Sequence, residues 1–457
     1  MKTDERALQA AGMPSPWREA TVLEDGATLL ARPLTAASSA LGLGWLRLAI
    51  CSLLLAGGFA GLVAIARTPA IQSLVGLRYF RISLVGHVNF SLSVWCLAFA
   101  AAVWALAPAN SEGGRARLPW LGPLGLGSAV AGTVVMAIVC VLGLGQPALV
   151  DYLPALEHPA FGVGLGLFLG GVALQAIAFL LNVRGSAAEL GLFRLSAWAY
   201  LASLVSLLAG VTVGWRGDWA IAASGGGHLM QVVNATMLVG IWIVLLPGHL
   251  PARSRAAIRL ASLPLFLPMV VIPSLYLLPG PLSRTAISVT NWSAVAVMMT
   301  VALVAIGERL WRQRPMTVAA MPVLLSVLLF ASGFAIALLG LQGDTRVTAH
   351  YHGTVGAVTL AFMALSYRLL PALTGRSMPR LARHQPMAYG LGLMILVIGL
   401  YWASSFGGQR KVYDTFAHQS GLFGPILLFG AGSVLAILGG AAYVGGLAYG
   451  LRPVKKS

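Results

Sequence analysis

His350 and His352 stand one residue apart in the stretch TAHYHGTVGAVTLAFMALSYRLLP, Thr348 to Pro371, whose remainder is almost wholly apolar. Imidazole is the side chain suited to iron and copper. Two residues along an α-helix turn it by about 200°, so the two rings point to opposite flanks and one helix can hold a metal on each side. His87 and His228 likewise stand near the heads of apolar runs, whereas His158, His249, His384 and His418 fall in connecting segments and read as ordinary surface residues. A lone histidine in an apolar helix is more often a hydrogen-bonded core residue than a ligand. Four on three helices, with almost no other ionisable group nearby, shift that balance toward cofactor ligation.

The elements that position them are membrane spans. The chain has 457 residues, 58% of them hydrophobic and only 9% charged, far from the roughly 25% charged composition of soluble domains. About 20 apolar residues in a helix cross roughly 30 Å of hydrocarbon, and twelve such runs are present. They cover approximately 41–66, 83–107, 121–145, 161–183, 195–214, 225–247, 260–280, 285–306, 318–341, 350–373, 386–406 and 421–451. The seventh is interrupted by Pro264, Pro268, Pro273 and Pro279. The expected fold class is therefore all-α, a polytopic membrane protein of about twelve helices: a tail at 1–40, a membrane domain at 41–451 and a second tail at 452–457.

Of the thirty Lys and Arg residues, twenty lie in the two tails and in the connections on their side. Eight lie on the other side: Arg67, Arg78, Arg81, Arg216, Arg284, Arg346, Arg410 and Lys411. The remaining two, Arg47 and Arg368, lie inside spans toward the tail side. The positive-inside rule then makes both termini cytoplasmic and puts the four histidines within about 10 Å of the outer ends of their helices. The net charge of +17 is mostly this topology signal. It requires no nucleic-acid partner, and residues 1–40 are free to touch anionic lipid. No cleavable signal peptide is evident, and Cys51, Cys96 and Cys140 lie inside spans without CxxC spacing, as packing residues do.

Twelve spans with a His in the second, a His in the sixth and His-x-His opening the tenth resemble subunit I of the haem-copper oxidase superfamily. The blocks that carry the likeness are GHVNFSLSVWCLAFA, GGGHLMQVVN, RVTAHYHGTVGAVTLAFM and GGQRK. The tenth span is closer to the C-type oxidases and nitric oxide reductases, and the chain also resembles the short subunit I chains of sulfur oxidisers and nitrifiers. The resemblance implies a haem-binding catalytic subunit in a bacterial inner membrane that reduces a diatomic gas, NO to N2O or O2 to water. It implies two b-type haems, one low-spin between His87 and His352 and one high-spin on His350. His228 would belong to a non-haem copper or iron facing the second haem, Arg410 and Lys411 would meet haem propionates, and His350 and His228 would be the catalytic pair. A periplasmic donor subunit, cupredoxin-like or cytochrome c, would supply electrons, because the chain carries no haem c motif and no copper domain of its own.

The chain also departs from that pattern. No histidine lies between His249 and His350, so the adjacent pair that completes a three-histidine copper site is missing. Val232 stands where many oxidases have Tyr, no Glu follows His228 in its span, and only Gln231 and Asn234 offer weak amide ligands. No Lys, Asp or Glu lies well inside a span, so strong proton pumping is not expected. The missing Tyr favours nitric oxide and the missing Glu argues against it, so the substrate stays open. A haem protein for electron transfer or sensing, with a degenerate gas site, is the alternative. A twelve-span transporter relaying protons through its histidines is a third reading, without the charged, broken helices such a protein would show.

Overall fold

The computed structural model describes residues 35–68, 71–107, 116–183, 188–214, 218–246, 248–313, 320–376, 382, 384–413 and 421–450. His418, nearly all of both tails, and Arg115, Arg184, Arg216, Arg314, Arg380 and Arg383 lie outside them. Hydrocarbon offers backbone groups no hydrogen bonds, so apolar runs of this length close their own as helices. Among the described residues, twelve helices are long and apolar enough to cross a membrane: α1 (Ala36–Ala66), α2 (Leu77–Leu106), α3 (Leu121–Val141), α4 (Pro159–Asn182), α5 (Glu189–Gly214), α6 (Trp219–Leu245), α7 (Ala252–Leu275), α8 (Gly280–Arg312), α9 (Met321–Leu338), α10 (Thr345–Thr374), α11 (Gln385–Ser404) and α12 (Phe423–Ala448).

The protein is thus an all-α, multi-pass membrane protein. Consecutive helices pair: α1 with α2, α3 with α4, α5 with α6, α9 with α10 and α11 with α12. The centre belongs to three of them. In the apolar heart of α2 and of α6, 83% of the residues are buried, and in that of α10, 72%, against at most half in any other span. Those are the helices that carry the four histidines.

Three local departures from regular helix matter to these positions. In α2 a π-turn, Asn89–Val94, follows His87 closely, and such turns concentrate at functional sites. In α7 the prolines leave a 3₁₀ turn at Leu263–Leu265, yet the helix continues to Leu275. Between α3 and α4 a small antiparallel hairpin pairs β1 (Pro147–Ala148) with β2 (Ala155–Leu156), and its connection carries Asp151 and Tyr152.

Most of the helices start earlier than the apolar runs. α2 begins at Leu77 rather than near 83 because its first turns are polar, including Arg78 and Arg81, so His87 lies about 15 Å along its helix at 1.5 Å per residue. His350, five residues into α10, lies only about 8 Å from its helix start.

Candidate functional site

Each of the four histidines is held in the same way. The Nδ1–H of His350 donates to the Gly333 carbonyl at 2.8 Å, that of His352 to Thr348 at 2.8 Å, that of His228 to Ser224 at 2.8 Å, and that of His87 to Ala56 at 3.1 Å. A carbonyl oxygen only accepts, so Nδ1 must carry the proton and Nε2 keeps its lone pair. This is the tautomer and orientation that a metal-ligating imidazole needs.

The fold makes these anchors in different ways. His228 and His352 use the carbonyl four residues back in their own helices. His87 crosses to α1 and His350 to α9. The α9–α10 crossing is so close that a Cβ on Gly353 would lie 2.7 Å from the Gly333 Cα, and this contact brings the Gly333 carbonyl to the His350 ring.

The two flanks of α10 differ as the 200° turn requires. His352 looks toward α2, within electrostatic range of His87. His350 looks toward α8 and α9, with the Trp292 ring 5.6 Å from its own. On that second flank opens a small cavity of about 70 Å³. Its polar lining includes His350, Tyr152, Tyr351, Gln231, Asn234 and Asn291. Asn291 is buried, and its Oδ1 has no hydrogen-bond partner among the described residues.

Tyr152 stands against His228: its hydroxyl is 3.4 Å from the free Nε2, and the rings meet edge to face at 4.7 Å. The Tyr351 ring meets the same phenol ring edge to face, with centroids 5.9 Å apart. Burial pushes the Tyr152 hydroxyl above the usual tyrosine range, so it stays protonated at neutral pH. The glycine run before His228 makes room for it, since a Cβ on Gly227 would come within 2.6 Å of the Tyr152 Cβ. Sequence reasoning missed Tyr152 and assigned nothing to Trp292. Tyr351 could have been suspected from its place between the two histidines, but nothing local marks Tyr152.

Arg410 and Lys411 are both engaged. Arg410 forms a fork to Asp151 at 2.8 and 3.1 Å, and Lys411 Nζ donates to Asp151 at 3.0 Å and to the Leu149 carbonyl at 2.8 Å. Burial alone would raise the Asp151 carboxyl, but the Arg410 hydrogen bond and both cations outweigh it and hold the group below the usual carboxylate range. Two cations against one carboxylate leave one positive charge. This clamp fastens the loop next to Tyr152, and the same loop is tied elsewhere by Asn89 Nδ2 to the Pro154 carbonyl at 2.7 Å and by Trp219 Nε1 to the Leu153 carbonyl at 2.8 Å.

Tyr276, a polar residue of the histidine-free stretch, does structural work. Its hydroxyl donates to the Ala222 carbonyl at 2.8 Å and accepts from the Gly225 N–H at 2.7 Å, pinning the start of the helix that bears His228.

No family model matches the chain. An uncharacterized protein of Aquifex aeolicus (strain VF5) is 31% identical over 72% of this chain and 84% of its own length; the two chains belong to one family. An uncharacterized protein of Rickettsia prowazekii (strain Madrid E) is 23% identical over 89% of this chain and 95% of its length. Cytochrome c oxidase subunit 1 of Thermus thermophilus matches at 34% over 84 residues, which are 16% of this chain and 15% of that protein. A solved structure of a haem-copper terminal oxidase dimer superposes with a TM-score of 0.66 at 16% identity, covering 93% of this chain and 86% of that one. The chain has the fold of haem-copper oxidase subunit I.

Within the haem-copper oxidase fold, the donor set decides which groups fit. Two imidazoles with free Nε2 on facing helices, His87 and His352, fit a haem and would hold it between them. His350 beside a cavity fits a haem with one side open. A further non-haem metal does not fit as well: around His228 stand a phenol and neutral amides, and no cluster of three or more His, Cys, Asp or Glu occurs among the described residues.

Proposed function

We propose that this chain is the haem-carrying subunit of a respiratory membrane oxidoreductase that reduces a diatomic gas with electrons from a periplasmic partner. The observation that carries the reading is the set of imidazoles on the three most buried helices, each oriented through Nδ1 so that Nε2 keeps its lone pair. His87 and His352 would hold a low-spin haem, and His350 would hold a high-spin haem. Bound there, haem would supply electron transfer at the His87 and His352 site and gas binding at the His350 site.

The protein's own part is orientation and enclosure. Backbone carbonyls of α1, α9 and α10 fix the rings, Trp292 and Phe334 wall the cavity, and the one positive charge left by the Asp151 clamp is available to a haem propionate. Both termini face the cytoplasm, so the histidines and the Arg410 loop face the electron donor. The sparse surroundings of His228 favour a second reading, electron transfer or gas sensing without turnover.

The test is haem stoichiometry of the purified chain by pyridine haemochrome, followed by dithionite-driven consumption of NO and O2. Two b-type haems with turnover of one gas is the expected result. Two haems without turnover of either supports the sensor reading, and no haem overturns both.

A further inference from the structure

Among the described residues that line the His350 cavity, Tyr152 comes from a connecting loop rather than from a membrane helix. We propose that Tyr152, seated on the Nε2 of His228, takes the place of a second metal and is the hydrogen-bond donor to a diatomic ligand bound on the His350 side. The inference rests on the haem reading above and assigns a residue and a role that the reading does not supply.

Three independent features converge on Tyr152. Its phenol occupies the one nitrogen through which His228 would bind a metal, at 3.4 Å. It lines the same cavity as His350. Its position is built, because its φ of 67° is in the left-handed region that non-glycine residues rarely adopt, and the loop is held there from both sides. On one side the adjacent Asp151 is clamped by Arg410 and Lys411. On the other, Leu153 and Pro154 are tied to α6 and α2. A non-glycine residue keeps such a backbone only where its surroundings over-determine it, and such residues gather at functional sites.

The chemistry follows from the donor count. A neutral phenol has one O–H. With no ligand present it points to His228 Nε2, the acceptor left by the Nδ1–H bond to Ser224. When a diatomic ligand enters the cavity, the O–H turns to the ligand's outer atom, and His228 serves as the resting acceptor. No covalent bond is made or broken. Asp151 acts through Tyr152 and is a positioning residue.

The experiment measures total copper and iron against haem in the purified protein and records the infrared C–O stretch of its reduced carbon monoxide complex. The expected metal count is haem iron alone. Removing the donor in Tyr152→Phe should shift the C–O band to higher frequency at unchanged haem content. Gly227→Ala, which crowds Tyr152 from behind, and Asp151→Asn, which loosens its loop, should shift the band the same way by less, even if Tyr152→Phe does not accumulate. An equivalent of non-haem metal that vanishes in His228→Ala, or a band unmoved in all three variants, overturns the proposal. A wild-type protein without haem refutes the parent reading, and this inference with it, by a result that neither of those outcomes resembles.

Discussion

At the scale of single residues, the histidines' fate was decided by what their other nitrogen does. Sequence could place His87, His228, His350 and His352 on three helices, and the His-x-His spacing assigned its two rings to opposite flanks. It could not show that Arg410 and Lys411 already share a carboxylate, because Asp151 lies about 260 positions away in another loop. That clamp has a pH signature. The Asp151 carboxyl is depressed in the folded protein, so its stabilisation is present above the ordinary carboxylate range, near 3.8, and is lost as pH falls through its lower folded value. Asp151→Asn should cost about 1–3 kcal/mol at neutral pH, tempered by partial exposure. In thermal unfolding, the gap between the variant and the wild type should narrow as the pH is taken below 4; a gap constant with pH would remove the clamp from the account. Tyr276→Phe strips partners from the Ala222 carbonyl and the Gly225 N–H at once. At roughly 1–3 kcal/mol for a buried group left unsatisfied, the melting temperature should drop measurably with haem content intact, and an unchanged melting temperature would show that water or relaxation replaces the pin.

At the scale of elements, all twelve spans were legible because a 20-residue apolar run has few other uses. Their ends were less legible. The outer turns of α2 carry Arg78 and Arg81 and do not read as membrane, although the helix runs through them. The hairpin that presents Tyr152 had no signal at all: it pairs only two residues per strand and is stabilised by tertiary bonds rather than by its own pattern. The seventh helix was counted as a span despite the prolines that interrupt its apolar run, and it crosses with only a 3₁₀ turn at Leu263–Leu265. The α9–α10 crossing offers an element-scale prediction. Gly353→Leu must push the two backbones apart and draw the Gly333 carbonyl away from His350. Overpacking of this kind costs typically about 1–3 kcal/mol. The variant should lose carbon monoxide binding before it loses the low-spin spectrum, because His352 takes its anchor from its own helix. Equal loss of both signals on a graded denaturant series would contradict that division.

At the scale of the whole molecule, burial and chemistry coincide: the three helices most enclosed by the others are the three that bear the imidazoles. The fold of haem-copper oxidase subunit I was legible from four short blocks, and the departures from its metal set were legible as missing residues. What fills the gap required coordinates. The basic asymmetry predicts cytoplasmic termini, so an alkaline phosphatase fusion at the C-terminus should be inactive and a cytoplasmic reporter active; the reverse would invert the electron-entry face. The central claim is that α10 serves two different haems from its two flanks. It is tested most directly by reduced-minus-oxidised and carbon monoxide difference spectra of His350→Ala and His352→Ala side by side. His350→Ala should abolish carbon monoxide binding and keep the sharp low-spin bands, whereas His352→Ala should lose the low-spin bands and bind carbon monoxide once dithionite reduces it. Identical spectral losses in the two variants would contradict the account.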